Sequence, residues 1–84
     1  MNYEQMFAEQ FGYLHKGSPV VARLAAAMMK GERVSPLDAL RCWRCMRLGA
    51  RVHELRVAGW PVETEVVNRR KKRYAIYYLP EVVQ

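Results

Sequence analysis

With 84 residues, 51% of them apolar and 11% aromatic, the chain can build one small core and is too apolar to be disordered throughout. Two cysteines are too few for a disulfide framework. With no secretory signal or membrane-length apolar run, the expected setting is a reducing cytoplasm, with no membrane partner. The net charge of +6 is unevenly spread: Arg41 to Arg73 holds ten cations and three acids, or 10 − 3 = +7, an excess that favours a polyanion over a neutral partner.

Residues 1–17 open with Tyr3, Met6, Phe7, Phe11 and Leu14 at the i, i+3, i+4 steps of an amphipathic helix. Gly12 interrupts the pattern and Gly17 ends it. The apolar stripe is expected either to pack on the domain or to pair two chains.

Ser18-Pro19 reads as a second helix start, with serine as cap and proline at the first helical position. Val20, Val21, Leu24 and Met28 form its apolar stripe, broadened by Ala25 and Met28 or Met29, and Lys30-Gly31 its stop. Arg33-Val34 follows as a very short strand.

Ser35-Pro36-Leu37-Asp38 repeats the start signal as a reciprocal cap, in which Ser35 serves the N–H of Asp38 and Asp38 that of Ser35. The third helix is expected to run two turns to Cys42 or Trp43, with Leu37, Ala39 and Leu40 inward. A turn at Arg44-Cys45 then leads into a fourth helix over Met46 to Ala58. Leu48, Val52 and Leu55 line its buried side, and Arg47, Arg51 and Glu54 its opposite side, with Ala50 close by. Gly59 and Pro61 end it.

The remainder changes to period two. Val62–Val66 and Tyr74–Leu79 read as strands, joined by the polar tip Asn68-Arg69-Arg70-Lys71-Lys72. Pro80 closes the hairpin, and residues 81–84 read as a tail. Three segments result: a helical extension at 1–17, a domain at 18–80 and the tail. The order helix, helix, turn, helix, hairpin is an α+β winged helix-turn-helix: a three-helix core, a C-terminal β-hairpin wing and an extra N-terminal helical segment.

The run SPLDAL…CMRLGARVHELRVAGWPVET, followed by KRYAIYYL, resembles a family of small winged helix-turn-helix domains common in bacteriophage and prophage proteins. The likeness rests on Ser35-Pro36-Leu37, Met46-Arg47-Leu48 with Arg51-Val52, Leu55-Arg56, Ala58-Gly59, Pro61-Val62 and the basic hairpin. It covers roughly residues 20–79. One departure is Arg44, after bulky Trp43, where a small residue such as glycine is expected in the turn. The resemblance implies DNA binding and often transcriptional control.

The candidate site follows from the residues themselves. Arginine can donate two hydrogen bonds to guanine in a major groove that admits a helix. Arg47 and Arg51, one turn apart, suit base reading, and Arg44 suits a phosphate or base edge at the helix start. The bland alternative is a solvated face on which Arg51 and Glu54 pair. At the wing, five consecutive cations from Arg69 to Arg73 suit phosphates. The expected DNA-contacting set is Ser35, Arg44, Arg47, Ala50, Arg51, Glu54, Asn68, Arg69, Arg70, Lys71 and Lys72.

Cys42 and Cys45, even with His15 or His53, lack the second ligand pair of a structural zinc site, so small buried apolar roles are expected, with no metal and no cofactor. His53 is expected beside the core on the flank of its helix, with contact to DNA as the alternative. The aromatics Trp43, Trp60, Tyr74, Tyr77 and Tyr78 read as core finishing the hairpin rather than as stacking platforms for bases. No phosphate loop, carboxylate pair or activated nucleophile points to an enzyme.

The reading as a whole is sequence-specific binding of double-stranded DNA by a phage or prophage transcriptional regulator. It would act as a homodimer, with the Tyr3–Leu14 stripe as the dimer contact. The alternatives are a winged-helix module whose basic face binds an acidic protein, and an architectural or recombination-accessory DNA-binding protein.

Overall fold

The computed structural model describes residues 3–17 and 19–80, with the backbone alone at 15–17. Among these are four helices, α1 (Tyr3–Gly17), α2 (Pro19–Met29), α3 (Pro36–Trp43) and α4 (Leu48–Val57), followed by the strands β1 (Glu63–Arg69) and β2 (Lys72–Tyr78). The expected cap at Ser18, the side chain of His15 and the tail at 81–84 lie outside the described residues. The chain is α+β, with three helices and a hairpin in winged helix-turn-helix order behind an additional N-terminal helix.

α2 is the centre of the core. Val21, Ala22, Leu24, Ala25, Ala27 and Met28 are all buried, because the apolar positions occupy more than one helix face. Gly31 ends the helix at φ 88, a left-handed conformation open to a residue without Cβ, and its N–H bonds Met28 O at 3.0 Å. Val34 then forms an isolated antiparallel bridge to Tyr77, with hydrogen bonds of 2.9 and 2.8 Å. The short strand expected at Arg33-Val34 is this one bridging residue.

The reciprocal cap of α3 is present: Ser35 Oγ accepts from Asp38 N, and Asp38 Oδ2 accepts from Ser35 N, each at 3.1 Å. Such a cap contributes about 1 kcal/mol and sets where the helix begins. Only part of the expected inner face is inward. Ala39 is fully buried, whereas Leu37 and Leu40 are 52% and 44% exposed. In a helix of eight residues, one small side chain lets α3 sit close to its neighbours and leaves the flanking leucines outside.

α4 begins at Leu48, two residues later than expected, and ends at Val57. Arg47 is its N-cap residue at φ −128, with no side-chain cap hydrogen bond. Leu48, Val52 and Leu55 face the core as expected. Beyond Ala58, Gly59 turns at φ 99 and Trp60 N bonds back to Leu55 O at 3.0 Å.

The hairpin is longer and its loop shorter than the sequence indicates. The register runs from Glu63 opposite Tyr78 to Arg69 opposite Lys72, so Asn68 pairs with Arg73 inside the ladder and is not a turn residue. Val62 and Leu79 flank the strands, and only Arg70 and Lys71 remain in the loop. Charged residues at the tip look like a loop in sequence, but the backbone ladder is indifferent to charge. Arg70 takes φ 56 while Lys71 does not have positive φ, the sign pattern of a tight hairpin turn whose first position usually holds glycine.

α1 is one continuous helix through Gly12, where a Cβ would meet nothing within 4 Å. Glycine costs a helix roughly 0.5–1 kcal/mol relative to alanine, too little to break one held by packing. The helix packs on α2. Leu14 is buried, and Tyr3, Met6 and Phe7 lie against the core. The stripe offered as a dimer contact is therefore turned into its own domain, and only Phe11 of that set is substantially exposed, at 45%.

Candidate nucleic-acid interface

Two basic groups stand at the surface: the turn before α4 and the hairpin tip. At the turn, Arg44 is the residue after α3, at φ 53 and ψ 33, and its N–H is shared between Ala39 O and Leu40 O. The glycine expected at this place is replaced, yet the glycine-like backbone is kept. Left-handed backbone costs an L-residue roughly 1–2 kcal/mol. The side chains of Arg44 and Arg47 are exposed, as is Met46 between them at 86%.

Along α4 the outermost arc is only partly the one expected. At about 100° per residue, the positions opposite Leu48, Val52 and Leu55 are Ala50, His53 and Val57. His53 and Val57 are exposed and Ala50 is half-buried. His53 is thus on the outer arc and not beside the core. Arg51 lies on a flank and pairs at 3.4 Å with Glu54 at the edge of the outer arc, the two side chains 27% and 42% exposed. Arg51 Nε and Glu54 Oε2 are buried without a hydrogen-bond partner, so this pair is turned partly into the protein. A helix starting at Met46 would put Arg47 one turn before Arg51 on a single face; a start at Leu48 leaves Arg47 ahead of the helix.

At the hairpin tip, Asn68, Arg69, Arg70, Lys71, Lys72 and Arg73 are all exposed. Directly opposed residues of an antiparallel pair share a sheet face. Lys72 and Arg69 therefore share one face with Tyr74, Ile76 and Tyr78, while Asn68 and Arg73 share the other with Ala75 and Tyr77. The hairpin's base is fixed against α4: Tyr77 Oη stands 3.9 Å from where a Cβ on Gly49 would be. Its other face meets α3, where Ser35, Pro36, Leu37 and Asp38 line a cleft with Lys72, Tyr74 and Ile76. Ser35 Oγ accepts the cap bond there and keeps its own proton to donate.

Two further cations are committed to the fold. Arg56 Nε and Nη2 donate to Val62 O at 3.2 and 2.9 Å, and Nη2 also donates to Thr64 Oγ1 at 2.7 Å. Arg33 pairs with Glu65 and lies 4.5 Å from the centroid of the Tyr78 ring. By sequence Arg56 is only one of the ten cations between Arg41 and Arg73, since nothing in spacing reveals a carbonyl acceptor six residues away. His53 and Met46 are absent from the expected set; on a helical wheel His53 stands well away from Leu48, Val52 and Leu55 wherever the helix begins.

The cysteines divide. Cys45 is buried as expected, whereas Cys42 is exposed, in a cleft with Glu32, Arg33 and Val34. Trp60 is buried and Tyr77 packs on the core, but Tyr74 and Tyr78 do not belong to that cluster. Among the described residues no helix is long and apolar enough to cross a membrane.

A winged helix-turn-helix domain model matches residues 20–82, which takes in α2 through the hairpin and leaves α1 outside. Comparison with curated proteins and with solved structures gives no significant match. With three quarters of its length matched and the helices and wing in that order, the chain belongs to the winged helix-turn-helix domain family, a fold whose members typically bind DNA and are not enzymes.

Proposed function

We propose that the chain is a sequence-specific binder of double-stranded DNA that regulates transcription, as in the phage and prophage domains it resembles, and that it works in a bacterial cytoplasm. One observation carries the reading. Three arginines occupy backbone positions that fold stability would give to other residues. Arg44 and Arg70 stand at φ 53 and φ 56, where glycine is unstrained. Arg47 is an N-cap without a capping side chain, where serine or aspartate would gain about 1 kcal/mol. Local rules broken without a gain in stability are the mark of a functional surface. All three cations are exposed, at the start of α4 and at the wing tip.

In this reading Arg44 and Arg47 approach phosphates or base edges at the start of α4, and Ala50 and His53 face the groove. The Arg51–Glu54 pair braces the helix, and the Ser35 hydroxyl offers a donor to a phosphate. Asn68, Arg69, Arg70, Lys71 and Lys72 follow the backbone beside the groove. The domain proper is residues 18–80, with 1–17 as a brace specific to this chain and 81–84 as its tail.

Selection from random duplexes, followed by anisotropy titration in rising salt, tests the proposal. One enriched sequence should bind far more tightly than arbitrary DNA, with both affinities falling as salt rises. Absence of duplex binding at low salt would overturn it in favour of an acidic protein partner. A single module covers about 600–1,000 Å², so useful specificity favours two copies on a two-fold site.

A further inference from the structure

We infer that β1 is the surface through which two copies of this chain join, edge to edge, into one four-stranded antiparallel sheet. The inference stands on the hairpin alone and holds whether or not DNA is the ligand.

The direction of the backbone groups comes first. Tyr77 both donates to and accepts from Val34, at 2.8 and 2.9 Å, so its N–H and C=O point away from β1. Pairs in an antiparallel ladder alternate between bonded and unbonded. The residue opposite Tyr77 is Thr64, and Val66 and Asn68 follow it at alternate positions. These three therefore turn their N–H and C=O outward, away from β2. Among the described residues nothing meets them. Six of the seven residues of β1 are exposed, and Val66 is 47% exposed. Exposed edges are usually blunted with charged side chains, above all lysine, or with proline or a bulge, and the charges of β1 are Glu63, Glu65 and Arg69, of which Arg33 holds Glu65. Between Glu63 and Arg69 there is no lysine or proline, and the register shows no bulge.

The sequence of this edge, ETEVVNR, complements itself. With a two-fold axis at Val66, Val66 meets its own copy, Thr64 meets Asn68 of the second copy, and Glu63 meets Arg69 of the second copy. Thr64, Val66 and Asn68 are the residues with outward backbone groups, so every bonded position of the new ladder is filled. Glu63 and Arg69 lie on one sheet face and come together twice, once at each end. Arg69 already stands directly opposite Lys72 in its own hairpin, a like-charge pair that an arriving carboxylate relieves. Moving the axis to position 65 opposes Glu65 to its copy. Moving it to position 67 shortens the overlap and draws on Glu65, which Arg33 holds. The Val66 register alone uses the whole strand with opposite charges at both ends.

Antiparallel pairing about this axis sends the two hairpin tips in opposite directions. A strand of seven residues spans roughly 23 Å, so the two cationic tips lie at opposite ends of the joined sheet. One strand pair is smaller than the roughly 1,200 Å² of a standard stable interface, so the association is weak and concentration-dependent.

Sedimentation equilibrium without DNA, over a series reaching millimolar chain, tests this directly. The unaltered chain should show a monomer–dimer equilibrium. Val66→Pro removes an N–H that the monomer does not use and should abolish the dimer, with circular dichroism reporting the fold. Glu63→Arg should weaken association about tenfold by setting like charges opposite, and adding Arg69→Glu should restore it, a rescue that a merely damaged fold would not give. A chain that stays monomeric throughout, or a dimer indifferent to the charge reversal and its rescue, overturns the inference. Because the sedimented sample contains no DNA, a failure to bind duplexes in a separate titration leaves this result untouched.

Discussion

Trp60 Nε1 donates a 2.8 Å hydrogen bond to Gln10 Oε1, joining α1 to the far side of the domain across a separation of 50 residues. Gln10 Nε2 donates in turn to Ala58 O at 3.0 Å, and the Tyr3 ring stacks on Trp60 at 5.8 Å between centroids. Trp60 is 1% exposed, so the indole N–H has no water to turn to. A helix outside the family match thus supplies the polar partner of the largest side chain in the core.

Gln10→Ala should therefore lower stability by about 1–3 kcal/mol, the penalty of a buried donor without an acceptor. For a chain of this size that is a fall in Tm of roughly 4–8 °C per kcal/mol. Thermal unfolding followed by circular dichroism reads it. An unchanged Tm would mean that α1 does not hold Trp60.

The arginines around the start of α4 predict opposite effects on stability and binding. Arg44→Gly relieves a left-handed residue and should raise stability by about 1 kcal/mol. Arg47→Ser should add about as much again by supplying a cap. Both should weaken DNA binding, and Arg47→Ser should cost roughly 1–3 kcal/mol at one base pair if it reads a base edge. Urea midpoints and anisotropy titrations on the same proteins separate the two effects. Greater stability with binding unchanged would remove these arginines from the interface.

At the wing, replacing Arg69, Arg70, Lys71 and Lys72 together with alanine should weaken binding to all duplexes about equally. The slope of log K against log salt should flatten by about 0.9 for each phosphate that the wing no longer neutralises. An unchanged slope would place the phosphates elsewhere.

Arg56 provides the contrast. Its guanidinium bridges α4 to Val62 O and Thr64 Oγ1. Arg56→Ala should therefore lose about 1–2 kcal/mol of stability and leave the salt slope as it was. A flattened slope with full stability would place Arg56 on the DNA face.

Local signals in the sequence determined the local structure. Ser35 and Asp38 mark the start of α3, Gly31 and Gly59 end their helices, and the spacing of Leu48, Val52 and Leu55 names the buried side of α4. Each is an interaction within a few residues, so the order of helices and hairpin was legible, and the winged arrangement with it. What lay beyond reach depended on interactions made at a distance. The stripe of α1 could have met a second chain or its own core, and only packing on α2 and Trp60 decides for the core. Leu37 and Leu40 look like core residues in periodicity, but eight residues of helix bury only Ala39. The start of α4 at Leu48 left Arg47 ahead of the helix, and the ladder through Asn68 left Arg70 and Lys71 alone in the loop. Composition shows that the segment from Arg41 to Arg73 is strongly basic. Which arginines are free depends on where Arg56, Arg33 and Arg51 find partners, and those partners are supplied by the tertiary structure.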